Sequence, residues 1–280
     1  MKVSVLMPVY NTNEVFLREA IESILNQTFK DFEFIILNDC STDDNVEKVV
    51  LEYAKNDKRI FYYKNEKNLG ISESRNKLIE LSKGEYLAVM DHDDISLPNR
   101  FEKEVEFLDK NKDIGVVSSW FKTVSGKSII KQPIDNLDIK VSLMRSCVIL
   151  HPASMIRKSV LIDNKIKYEE MFTPAEDYAL WCRLIQFTKF ANIPEVLFKY
   201  RVHSNNTSKK QRAKMILATS LVYKLINKKY NDEFFILSER VKYIKLFSII
   251  PLLKIQKKAG IIKYKLFNLI PILLIRDKGE

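Results

Sequence analysis

Apolar positions in the first 120 residues follow two alternating rhythms. Val3–Tyr10 is a nearly unbroken apolar, β-branched run that closes on Asn11-Thr12-Asn13, the pattern of a strand buried on both faces. From Glu14 the apolar residues shift to helical spacing, at Val15, Phe16, Ala20, Ile21, Ile24 and Leu25. The alternation then repeats. Phe32–Leu37 predicts a second buried strand ending at Asn38-Asp39, and Ser41-Thr42-Asp43-Asp44 caps a helix running to about Lys55. Ile60–Tyr63 predicts a short strand, and Ser72–Leu81 a helix after a turn at Gly70. Tyr86–Met90 predicts a strand, Pro98–Lys110 a helix with proline in its first turn, and Ile114–Phe121 another strand. Strands alternating with helices over short connections predict an α/β fold with a mostly parallel sheet flanked by helices. Such sheets bind ligands beyond the carboxyl ends of their strands. Here those ends carry Tyr10-Asn11, Asn38-Asp39 and Asp91-His92-Asp93-Asp94.

Beyond residue 121 the rhythm is mixed. Val148–Ile156 is strand-like, Glu176–Phe187 helical and Phe190–Val202 extended. From Lys209 the chain reads as helix, and Lys245-Leu-Phe-Ser-Ile-Ile-Pro-Leu-Leu253 is echoed at a period of 20 by Lys265-Leu-Phe-Asn-Leu-Ile-Pro-Ile-Leu273. Charge separates the same two regions. Residues 1–208 hold 29 Lys and Arg against 31 Asp and Glu, whereas residues 209–280 hold 17 against 5, so the last quarter alone carries +12. This predicts a catalytic domain over 1–208 and a basic amphipathic helical tail over 209–280. Each repeated apolar segment is too short to span a bilayer, whose core needs ~20 helical residues. Flanked by Lys254, Lys257, Lys258, Lys263, Lys265 and Arg276, these segments suit the headgroup region of an anionic membrane, with packing on the domain or a homodimer contact as the alternative.

Composition narrows the class further. The closest of the six glycines lie 11 positions apart, so no Gly-x-Gly-x-x-Gly dinucleotide loop exists. Gly126-Lys127-Ser128 lacks the earlier glycine of a phosphate loop, since Phe121 stands there. Cys40, Cys147 and Cys182 are unclustered, which implies a reducing compartment and no thiolate metal site. No secretory signal and no long apolar run is present, so a cytoplasmic chain is expected, peripheral on the inner face of the membrane.

Asp91-His92-Asp93-Asp94 is the strongest chemical signal. Three carboxylates at the mouth of a buried strand repel one another unless a cation joins them, and hard divalent ions take carboxylate oxygens together with substrate phosphates. An EF-hand register fails because Ile95 and Ser96 occupy its fifth and sixth loop positions. A phosphatase-type aspartyl nucleophile would sit on the first strand, not the fourth.

Taken in order, the motifs resemble the family 2 glycosyltransferases, which have the GT-A fold. The resemblance is carried by Val5-Leu-Met-Pro-Val-Tyr-Asn11, Ile36-Leu-Asn-Asp-Cys-Ser-Thr-Asp43, Asn68-Leu69-Gly70 with Ser74-Arg75-Asn76, the Asp91–Asp94 cluster, Glu176-Asp-Tyr-Ala-Leu-Trp181 and Tyr200-Arg-Val-His203. It implies inverting transfer from a nucleotide-sugar donor, with UDP the expected nucleotide, to a hydroxyl of a glycan or a lipid-linked, lipopolysaccharide-type acceptor. It also implies Mn²⁺ or Mg²⁺ as cofactor. By the same resemblance Pro8, Val9 and Tyr10 line the nucleotide base, Asp39 accepts from it, Arg75 faces base or ribose, and Asp91 lies near the ribose. Asp93, Asp94 and His203 would hold the metal, and Asp177, supported by Glu176, would be the base. Many relatives carry Asp-Asp where this chain has Asn38-Asp39. His92 and His151 read as non-catalytic, although His151 could border the acceptor site.

Two other classes compete. A sugar-nucleotide nucleotidyltransferase would use a similar carboxylate mouth, but it opens with a glycine-rich loop where this chain has Pro8-Val9-Tyr10-Asn11. A nucleic-acid binder would use the basic tail but leave the carboxylates unexplained, so no nucleic-acid partner is expected.

Overall fold

The structure is a computed structural model that describes residues 1–204 and 206–225, together with the backbone of three later strands. The chain divides into two compact units, Met1–Lys229 and Tyr230–Glu280.

In the first unit the predicted alternation is realised as β1 (Val3–Val9), α1 (Glu14–Leu25), β2 (Phe32–Asn38), α2 (Asp44–Asn56), β3 (Ile60–Lys64), α3 (Ile71–Leu81) and β4 (Tyr86–Val89). β3, β2, β1 and β4 lie side by side and parallel. β1 and β2 are buried throughout, which is why their sequences are apolar on both faces. The polar exceptions Ser4 and Glu33 satisfy each other, with Ser4 Oγ donating to Glu33 Oε1 at 2.6 Å. α1 starts at Asn13, whose side chain accepts from the Val15 and Phe16 amides, and it buries Leu17, Ala20, Ile21 and Ile24 against the sheet.

Later strands depart from an all-parallel order. They are β5 (Ile95–Ser96), α4 (Arg100–Lys110), β6 (Ile114–Thr123), β7 (Ile129–Ile130), α5 (Asn136–Leu143), β8 (Met155–Arg157), α6 (Lys158–Asp163), α7 (Glu176–Leu184) and β9 (Lys189–Tyr200). β8 inserts between β4 and β6, antiparallel to both, and β9 returns parallel to β6. The strand-like stretch 148–156 pairs only at its end, because Pro152 has no N–H for a ladder and His151–Ala153 forms a single tight turn.

β1 and β4 part at their carboxyl ends, the place where an open α/β sheet leaves a crevice for a ligand. β1 pairs with β2 over all seven residues but with β4 only from Val3 to Leu6, and Met90 N–H to Leu6 O continues the pairing just past β4. The next β1 residue on that edge is Pro8, which has no amide to satisfy, so proline is tolerated in a central strand. Arg100 and Glu104, both fully buried on α4, pair with each other. Arg100 Nη2 also donates to Val89 O at 3.1 Å and Ser154 O at 3.0 Å, fixing the end of β4 beside the entry to β8.

The region expected as one helical tail divides in two. Thr207–Lys210 and residues 212–225 are helical, and Ala218 and Val222 are buried, so this stretch belongs to the first unit. In the second unit β10 (Leu253–Lys258), β11 (Ile261–Leu266) and β12 (Ile270–Arg276) form an antiparallel sheet, which corrects the expected helix. Leu253-Lys-Ile-Gln-Lys-Lys258 and Ile262-Lys-Tyr-Lys-Leu266 alternate apolar with polar residues at period two, a strand pattern. Residues 226–252, with nearly all of the first repeat copy, lie outside the described residues.

Candidate active site

At the mouth of the crevice, the ends of β1 and β2 are tied together. The Thr42 amide donates to Asn11 Oδ1 at 2.9 Å, with Asn11 at a left-handed φ of 45°. Tyr10 stands 44% exposed over the crevice edge. Pro8 and Val9 are buried within β1, so they shape the crevice wall through their backbone. Asp39 is buried, and its carboxylate accepts from the amides of Leu69 (2.8 Å) and Gly70 (2.9 Å) and from Asn65 Nδ2 (2.8 Å). Its role in this structure is to hold the Asn68-Leu69-Gly70 turn, where Gly70 adopts φ 82°.

The carboxylate cluster after β4 separates into three environments. Asp91 accepts from Arg75 Nη2 at 3.2 Å. Asp93 Oδ2 meets His203 Nε2 at 2.8 Å, both partly exposed, so these two predicted metal residues are brought together. Asp94 is not with them. It is 1% exposed, its Oδ1 accepts from the Arg201 amide at 2.7 Å, and its Oδ2 is enclosed without a partner. Burial, then the charges of Asp93 and Asp91, drives its carboxyl far above the usual carboxylate range. Among the described residues no three His, Cys, Asp or Glu side chains converge on one point; Asp93 and His203 meet directly, while Asp94 is engaged by the Arg201 amide.

The Arg75 guanidinium, expected to face base or ribose, is engaged by two protein carboxylates. It is 8% exposed, and its guanidinium bridges Glu176 Oε1 (Nη1, 2.5 Å) and Asp91 Oδ1, over the ring of Tyr168. It therefore joins α3, the β4 mouth and the start of α7. Glu176 is buried in this pair, whereas Asp177 lines a pocket of about 350 Å³ with Arg145, Ser146, Cys147, Tyr178 and Tyr223 among its neighbours. Enclosure pushes the Asp177 carboxyl up to about 7, with Glu176 adding repulsion and Arg75 and the Tyr178 amide opposing. His151 is a core residue: it is buried, shares a 2.7 Å hydrogen bond with the Tyr168 hydroxyl and tilts against Trp181. Burial, reinforced by Arg75, keeps it neutral.

Arg201 adjoins His203 and supports the site, a role its sequence context does not announce. Its Nε donates to Asp93 O at 2.6 Å, its guanidinium pairs with Glu19 and stacks over Phe16, and it thereby holds the Asp93-Asp94 turn against α1. The only sequence signal was its place in Tyr200-Arg-Val-His203; nothing in the order of residues marks Glu19 as its partner.

The sequence profile described as glycosyl transferase family 2 matches residues 4–174. A relative from Methanocaldococcus jannaschii, named an uncharacterized glycosyltransferase, is 38% identical over 236 residues and covers 81% of this chain and 81% of its own.

The chain belongs to glycosyltransferase family 2.

A similarly named relative from Haemophilus influenzae is 32% identical over 282 residues, covering 93% of this chain and 83% of its own. Among solved structures, S. aureus TarS in complex with UDP matches with a TM-score of 0.62 at 21% identity, covering 83% of this chain and 73% of that one. The Pyrobaculum calidifontis mannosyltransferase PcManGT, in complex with GDP-Man and Mn²⁺, matches at 0.62 and 15% identity, covering 89% and 76%. At such identities the likeness is one of fold, and that fold is GT-A. The protein is a transferase of this family, with the crevice between β1 and β4 at the position where the family motifs gather.

Proposed function

We propose that this family 2 enzyme transfers a sugar from a nucleotide-sugar donor, UDP-linked by preference, to an acceptor hydroxyl with inversion, and that Asp177 is the base. The observation that carries this reading is the division of labour at the start of α7. Glu176 is held by Arg75, while Asp177 faces a pocket with its carboxyl near 7, the value a base needs at neutral pH. In the reaction the acceptor oxygen attacks the anomeric carbon and its proton passes to Asp177. The bond from that carbon to the diphosphate oxygen breaks, and the nucleoside diphosphate leaves with the electron pair. Tyr10 offers an exposed ring to the nucleotide base, and Asp91, just past β4, would lie on the ribose side.

Two adjacent donors, Asp93 and His203, suit a Mn²⁺ or Mg²⁺ ion that brings its remaining ligands from donor phosphates and water. When bound, such an ion neutralises charge on the leaving diphosphate. The Mn²⁺ and UDP complexes of the two structural neighbours support this reading. A panel of nucleotide sugars with Mn²⁺ or Mg²⁺ tests it. Donor turnover should stop with EDTA, and Asp177→Asn should lower kcat by ~10²–10⁴ with donor affinity held. Wild-type turnover in Asp177→Asn, or in Glu176→Gln a loss as large as that expected of the base, would overturn the assignment.

We also propose peripheral attachment to an anionic membrane and a glycan or lipid-linked acceptor. The +12 charge of residues 209–280 supports this, as does the helix 212–225, which exposes Ile216, Leu217 and Leu221 beside Arg212, Lys214 and Lys224. No helix among the described residues is long and apolar enough to cross a membrane.

A further inference from the structure

Asp177 belongs to two neighbourhoods. Through Glu176 and Arg75 its helix is tied to Asp91 and the crevice, yet the pocket that Asp177 lines contains none of Tyr10, Asp39, Asp91, Asp93 or His203. Its walls come from the 145–147 loop on one side and from Met215, Thr219 and Tyr223 of the helix 212–225 on the other. That helix lies beyond the segment 4–174 that matches the family profile. It is fixed in place: Ala218 and Val222 are buried, the Tyr223 hydroxyl donates to Arg145 O at 2.5 Å, and the Tyr178 and Tyr223 rings meet edge-to-face at 6.2 Å.

We infer that this pocket is the acceptor subsite, and that Arg145 and the helix 212–225 select an acceptor sugar carrying an anionic substituent. The inference rests on the reading of Asp177 as the transfer base, which must reach the attacking hydroxyl. At about 350 Å³ the pocket is at the small end of ligand clefts, so it takes one sugar unit and not a long stretch of glycan. Tyr178, Tyr223 and Met215 supply an apolar wall for the C–H face of a pyranose, while Ser146 and Thr219 supply hydroxyls. Arg145 has no acidic partner among the described residues, and a guanidinium at a pocket wall matches a carboxylate or phosphate bidentately. Asp177 itself meets the sugar at the hydroxyl it deprotonates, so the anionic group must lie at the Arg145 end.

The test uses the full chain with whichever donor it turns over, and compares water with three acceptors: a p-nitrophenyl glucoside, the matching glucuronide and the matching 6-phosphoglucoside. Thr219→Trp, which fills the pocket, should lower transfer to sugar at least tenfold while donor hydrolysis by water and donor KM stay within about twofold. If Thr219→Trp also lowers Tm, Cys147→Phe fills the pocket from the opposite wall and should act alike. Arg145→Glu should raise KM about tenfold for the charged acceptors, the scale of one charge-assisted hydrogen bond, and leave the glucoside unchanged. The glucuronide and phosphate arms show which anion the site takes. Unchanged transfer in both filled variants overturns the location. A panel in which no charged glycoside accepts sugar or protects the donor from hydrolysis overturns the acceptor chemistry. Absence of turnover with every donor overturns the transferase reading, and this inference with it.

Discussion

Arg75 neutralises two carboxylates at once, and among the described residues Glu176 has no other ion-pair partner. Arg75→Ala should therefore strand a buried charge and cost about 3–5 kcal/mol, read as a fall in the urea midpoint, with Arg75→Lys recovering part of it. A residue that only touched nucleotide would lower donor affinity and leave the midpoint unmoved. Asp177 gives a second prediction, on pH. With its carboxyl raised to about 7, kcat should fall tenfold per pH unit below that value and level off above it, and Asp177→Asn should abolish the limb. Linkage runs the opposite way for stability. The native state holds this proton more tightly than the unfolded chain, whose Asp titrates near ~3.9, so the carboxyl costs stability as pH rises from about 4 to 7. Asp177→Asn should accordingly melt higher than wild type at pH 8, by about 2–4 °C per kcal/mol regained, and equal it at pH 4. Thermal melts at the two pH values check the sign. The sequence showed that 176 and 177 are adjacent carboxylates but not which of them is sequestered, because the deciding cation lies 101 residues away.

The turn after β4 presents Asp93 outward to His203 and folds Asp94 inward to the Arg201 amide, so neighbouring carboxylates have unlike work. Asp94→Asn keeps an acceptor for that amide and should leave Mn²⁺ affinity within about twofold, whereas Asp93→Asn should weaken it at least tenfold; Mn²⁺ titration followed by electron paramagnetic resonance separates them. Local patterns recovered β1 through β4 and α1 through α4 to within a residue or two, because each buries one face or two in a period that hydrophobicity records. The antiparallel insertion of β8 was not legible, since a three-residue strand beside a proline leaves no period to read. The strands β10 and β11 were legible in their interleaving of lysine with isoleucine, leucine or tyrosine, whereas β12 is an unbroken apolar run up to Arg276 with no such signal. All three were misread because the lysine- and leucine-rich composition favours helix.

At the scale of the whole chain, charge and compactness draw different boundaries. Basicity begins at 209, yet the first compact unit runs to Lys229. A chain ending at Ser208 loses the helix that buries Ala218 and Val222 and should melt several degrees lower than one ending at Lys229, which should match the full chain. Flotation with anionic vesicles should recover the full chain in a salt-sensitive manner and not the chain ending at Ser208; equal flotation of the two would remove the tail from membrane attachment. Cys182 is buried and the Cys40 sulfur leans on Glu66 O, while Cys147 lines the pocket beside Asp177. In Cys40→Ser a small electrophile has one accessible address next to the reacting centre; burial pushes the Cys147 thiol up, so at high pH its labelling rate becomes a gauge of occupancy, slow when the space is filled and restored when it empties.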